Sequence, residues 1–110
     1  MRKVKLAEGS IYHVFTKSIA GYVIFNNKVE YDRMLETVKF YQLGKPLVSF
    51  ARFNEGSKEK QKIVIEASKG EEQVNIIAYC LMPTHIHFIL EQKKEEGISN
   101  FMNNLLNSYT

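Results

Sequence analysis

Apolar and polar positions change period several times along the chain, and each change marks an element. Ile11 to Ile19, "IYHVFTKSI", alternates, with Ile11, His13, Phe15 and Lys17 on one face and Tyr12, Val14 and Thr16 on the other. Its β-branched and aromatic content predicts a strand, ended by Gly21. Tyr31, Met34, Leu35, Val38 and Gln42 then share one stripe of a helix. Asn27 with Glu30 provides a capping-box-like start, and Gly44 followed by Pro46 provides a stop. The next stretch, "LVSFARF" from Leu47 to Phe53, fits either a strand or an extended crossing segment, and the pattern does not choose between them. A short helix is expected from Lys58 to Ser68, although the run Ile63, Val64, Ile65 carries a competing strand signal.

"VNIIAYCLM" is apolar on both faces and predicts a central strand covered on both sides. Pro83 and Thr84 make a turn, and "HIHFILE" returns as its hairpin partner. From near Gly97 and Ser99, the positions Ile98, Phe101, Met102, Leu105, Leu106 and Tyr109 fall at amphipathic helical spacing. No Gly, Pro or basic cap closes this pattern before Thr110, so the expectation is one domain, residues 1–110, truncated at its C-terminus. Together the elements predict an α+β fold, a mainly antiparallel sheet packed with helices.

The composition, with 45% hydrophobic and 25% charged residues over 110 positions, argues against a disordered chain or a coiled coil. No run approaches the roughly 18 apolar residues of a membrane span, and Met1 to Ser10 has no apolar region for a signal peptide. A cytoplasmic protein is expected. Cys80 is the only cysteine, which excludes an internal disulfide, and its apolar surroundings predict a buried small side chain. The net charge of +3 favours a polyanionic partner; Arg2, Lys3 and Lys5 form a basic arm ahead of the first strand, and with Lys17 and Arg52 they are the candidate phosphate contacts.

The distinctive chemistry is His85 and His87. Strand alternation sends His85, His87 and Ile89 one way and Ile86, Phe88 and Leu90 the other, into the core. Residues two apart on a strand lie roughly 7 Å apart at Cα, so two imidazoles can converge on one cation about 2 Å from each nitrogen. Two ligands make part of a site, and a third must come from elsewhere. The plainer alternative is a pair of surface histidines. His13 has no partner at ligand spacing in the sequence and is expected to be structural. No phosphate-cradling glycine loop, C-x-x-C pair or nucleophile elbow points to a different chemistry.

"AYCLMPTHIHFILE" closely resembles the HUH motif (His, hydrophobic, His) of single-tyrosine transposases of the insertion sequence 200 type, especially the REP-associated tyrosine transposases. "YHVFTKSIAGYVIFNN" resembles the family's opening strand and turn, and "EGISNFMNNLLNSYT" the helix after the HUH strand. The resemblance implies a ferredoxin-like palm and a metal-dependent endonuclease and strand transferase acting on single-stranded, hairpin-marked DNA. His85 and His87 would hold Mg²⁺ or Mn²⁺, and a tyrosine would attack the scissile phosphate. It also implies a homodimer. Thr84 stands beside the site where the family usually has Asn, and Lys17 where Arg is common; both are candidate DNA contacts. The family's nucleophile lies several tens of residues after the HUH motif, beyond Thr110, whereas Tyr109 matches an earlier family tyrosine on the helical core face. The rival expectation is a non-catalytic nucleic-acid-binding module or a degenerate transposase remnant.

Overall fold

Seven elements follow one another in the computed structural model, which describes residues 6–17, 26–44 and 49–109: β1 (Ile11–Lys17), α1 (Lys28–Gln42), α2 (Phe50–Glu55), α3 (Lys58–Ala67), β2 (Val74–Met82), β3 (His85–Gln92) and α4 (Gly97–Tyr109). The strands form one sheet in the order β1-β3-β2, and both neighbours run antiparallel to β3. β1 and β2 therefore run the same way on either side of β3, joined by the crossover α1 to α3. This is the split βαβ arrangement of ferredoxin-like folds, and the α+β expectation holds.

The core lies between one face of the sheet and helices α1 and α4. Ile86, Phe88 and Leu90 of β3 are at most 1% exposed and meet Met34 and Val38 of α1 and Ile98, Phe101 and Leu105 of α4 in one cluster. Phe88 and Phe101 pack edge to face with ring centroids 5.6 Å apart. α1 starts as the sequence predicts. The Asn27 side chain accepts from the Glu30 N–H at 2.9 Å, and the Glu30 carboxylate accepts from the Asn26 N–H at 2.7 Å, one residue before the position a capping box would use. Gly44, at φ +113, ends this helix hard against the Glu71 carbonyl, where neither the conformation nor the space admits a side chain.

Three expectations are corrected. β2 is an edge strand, and β3 is the central one. Apolar residues appear on both faces of β2 because a bulge at Ile77 inverts the alternation: Val74 and Ile76 share the inner face before it, and Leu81 lies on that face after it. Ile77 and Tyr79 are left about half exposed, and Cys80 is exposed rather than buried. The segment at Ser49 to Phe53 is neither strand nor extended crossing but the start of α2; Leu47 and Val48 lie outside the described residues, as do Ile19, Gly21 and Pro46. The Ser49 hydroxyl caps α2 by accepting from the Arg52 N–H at 3.3 Å. Phe50 and Phe53, three residues apart, then share a face and pack on Phe40 of α1. α3 spans the expected residues with Ser57 as its N-cap.

One buried polar side chain ties the layers together. Gln92, 2% exposed at the end of β3, donates to the Leu6 carbonyl at 2.8 Å and accepts from the Ile98 N–H at 3.0 Å, so it fixes the segment before β1 and the first turn of α4. Beside it, a Cβ on Gly97 would collide with the Gln73 carbonyl, so the chain enters α4 pressed against the segment before β2. Gln92→Ala strands the partly buried Leu6 carbonyl and the buried Ile98 N–H. It is expected to lower the unfolding free energy by about 2–4 kcal/mol, measured as a shift of the urea midpoint at unchanged m.

Candidate metal centre on the open sheet face

The face of the sheet opposite the core carries the imidazoles. β3 alternates without a break: Ile86, Phe88, Leu90 and Gln92 are buried, and His85, His87, Ile89 and Glu91 between them are partly exposed. The β1 register puts Lys17 opposite His85, Phe15 opposite His87 and His13 opposite Ile89. From β2, Met82 faces His85 and Cys80 faces His87. Side chains directly opposite one another share a face, so His13, Phe15, Lys17, Cys80, Met82, His85 and His87 stand together on it.

The rings are closely arranged. His85 and His87 meet edge to face with centroids 5.1 Å apart. Two imidazoles binding one ion through nitrogens about 2 Å away put each ring centre about 3 Å from the ion, and a centroid spacing near 5 Å matches that. The His87 ring is within 13° of parallel to those of Phe15 and His13, with its centroid 5.3 Å from each, and those two lie 6.4 Å apart, so both stand toward its β1 side. One nitrogen of each β3 histidine is engaged within the protein. His87 Nδ1 shares a hydrogen bond with His13 Nε2 at 3.1 Å, and His85 Nδ1 shares one with the Thr84 hydroxyl, also at 3.1 Å. Among the described residues neither Nε2 has a hydrogen-bond partner, which leaves both for an ion. The donor set suits Mn²⁺ or Mg²⁺ only in part, because among the described residues no group of three or more His, Cys, Asp or Glu could enclose a metal. Charge across the face is uneven: exposed Lys17 stands at the His85 end, and Glu91, beside Asn75, at the other.

The remaining sequence candidates separate by location. Thr84 lies within the cluster. Arg52 is exposed on α2, which packs on α1 and α3 in the helical layer, so it is not brought to the imidazoles. Arg2, Lys3 and Lys5 lie outside the described residues. The backbone of Tyr109 closes α4, which packs on the core face of the sheet, the side away from the histidines. His13 is the correction: it does have a partner, His87, 74 positions away in the chain.

Residues 49–110, from the cap of α2 through the histidine strand to the last residue, match the family model described as "Transposase IS200 like". The chain belongs to the IS200-like transposase family. The match covers more than half the chain and starts after β1 and α1. No curated protein and no solved structure matches significantly. The family implies DNA as the partner. No helix among the described residues is long and apolar enough to cross a membrane.

Because the imidazoles face away from the core, His85→Ala and His87→Ala are each expected to change stability by less than about 1 kcal/mol, whereas Phe88→Ala, next to His87 but pointing inward, costs about 3–5 kcal/mol. Urea denaturation of the three variants checks this. A loss at His87 equal to that at Phe88 would mean that the faces are assigned wrongly.

Proposed function

We propose that this chain carries the metal-holding face of a DNA endonuclease and strand transferase acting on single-stranded or hairpin DNA. The observation that carries the reading is the pair His85 and His87, fixed on the central strand with both Nε2 atoms open, in a chain of the IS200-like transposase family. His85 and His87 would hold Mg²⁺ or Mn²⁺; when bound, such an ion draws off charge that builds on the phosphoryl oxygens during transfer. Lys17, opposite His85, meets the phosphate backbone at the electropositive end of the face. The Thr84 hydroxyl steadies the His85 ring from the turn.

A covalent step needs an attacking oxygen. In the proposed reaction a tyrosine oxygen bonds to phosphorus as the bond to the 3′-oxygen breaks, leaving a 5′-phosphotyrosine and a free 3′-hydroxyl that can later reverse the attack. Among the described side chains no tyrosine stands on the histidine face. Tyr12 and Tyr41 accept hydrogen bonds from the Ala7 and Phe50 N–H groups, Tyr79 is paired with inward-facing Phe88, and Tyr31 lies on α1. We therefore assign the nucleophile to residues outside the described set. Two copies of the chain meeting at a free sheet edge would be one way to bring it in.

Two measurements test the reading. Mn²⁺ should bind weakly in calorimetric titration, and His85→Ala and His87→Ala should each remove the binding. Unchanged affinity in both variants would refute the site. Hairpin single-stranded DNA should bind more tightly than a duplex of equal length, with affinity that falls as salt rises and falls further in Lys17→Ala. Hairpin binding unchanged when both histidines are replaced, or binding of both DNAs alike with no Mn²⁺ dependence, would favour the non-catalytic nucleic-acid-binding module.

A further inference from the structure

His13 lies outside the matched family region, yet it makes a close polar contact on the open face. Its Nε2 is 3.1 Å from Nδ1 of His87, and the two rings are nearly parallel. We infer that His13 is a positioning residue for His87: it holds the His87 ring by Nδ1 and so turns Nε2 toward the ion. This rests on the metal-holding reading of His85 and His87.

The chemistry of two neutral imidazoles makes the contact more than a steric rest. A nitrogen that ligates a metal must be bare, so when His87 uses Nε2 its ring proton sits on Nδ1, and His13 Nε2 must be the acceptor. In the opposite sense His13 donates, and His87 Nε2 carries the proton and cannot ligate. The bond can run either way, because an imidazole nitrogen is donor or acceptor according to its tautomer. His13 therefore supports the ring in both states and gives the ligating state a partner for its Nδ1 proton. Histidines that ligate metals ordinarily place their second nitrogen against such an acceptor.

Two alternatives fit the geometry less well. As a third ligand, His13 would have only its Nδ1 to offer, since its Nε2 faces His87, and no three-residue metal set among the described residues includes it. As a packing residue it is poorly placed, because it is exposed on the face away from the core. Phe15 lies beside His13 on the same β1-facing side of His87, with its ring centroid also 5.3 Å away.

The test compares the wild-type protein with His13→Ala and His13→Gln, whose amide can donate or accept at about the reach of Nε2. In metal-free protein with ¹⁵N-labelled histidines, wild type should show scalar coupling between His87 Nδ1 and His13 Nε2 across the hydrogen bond. Calorimetry should show Mn²⁺ affinity falling about tenfold or more in His13→Ala and recovering to within about threefold of wild type in His13→Gln. Melting temperature should stay near that of wild type, since His13 is exposed. Absence of the coupling in wild type overturns the inference. So does His13→Ala binding Mn²⁺ as tightly as wild type while His85→Ala does not bind it. If wild type binds no Mn²⁺ at all, the metal reading fails, and the coupling alone then decides whether His13 positions the ring.

Discussion

The structure depends on the unbroken alternation of β3. Each inward position, Ile86, Phe88, Leu90 and Gln92, is at most 2% exposed, and each outward position faces the open side. A shift of one residue in register would carry three large apolar side chains out of the core, at about 1.5–3 kcal/mol each, and push two imidazoles into it without partners. That penalty is a large share of the net stability of a domain this small. The imidazoles are therefore held on the open face mainly by hydrophobic burial on the other face, and the site needs little packing of its own to keep its orientation.

Register also has to be set along the strand. Gln92 does this at the far end from the histidines. Besides its two side-chain bonds, its N–H donates to the Ser10 carbonyl and its carbonyl accepts from the Gly9 N–H, so all four of its polar groups are used on the segment before β1 and on α4. Such a buried, fully satisfied amide adds modest net free energy but makes any other register costly, because a displaced Gln92 would leave several buried groups unpaired. At the other end the turn at Pro83 and Thr84 closes the hairpin directly beside His85. The strand carrying the site is thus fixed at both ends, and paired with a neighbour along each edge.

Much of this was legible in the sequence, for a local reason. The alternation of β3, the stripes of α1 and α4, and the cap at Asn27 are periods or short-range hydrogen bonds that a reader can count. Two elements were misread for equally physical reasons. The bulge at Ile77 swaps the parity of β2 midway, so an edge strand imitates one covered on both faces. In "SFARF" the aromatic content suggests a strand, but the serine cap and the spacing of Phe50 and Phe53 make a helical turn that covers Phe40. His13 was missed because its partner is remote in sequence. The signal that existed was its place on an alternating strand, on the face with Ile11, Phe15 and Lys17; without the β1 to β3 register, nothing in the sequence says that this face is shared with His85 and His87.

That register also makes the two ligand histidines unequal. His87 sits within the strand with two β1 rings beside it, whereas His85 sits where the strand leaves the turn, with its Nδ1 on a hydroxyl from the adjacent residue. A hydroxyl donates or accepts by rotating about one bond, so Thr84 can follow either tautomer of His85 without any other proton moving. His87 has no such freedom, since its Nδ1 proton must be matched by the tautomer of another imidazole. A change of state at His85 can remain local, while one at His87 is shared with β1. The strand that supplies neither of the two ligands would then influence how readily the central strand holds an ion, through one hydrogen bond between side chains that are far apart in the chain and next to each other on the sheet.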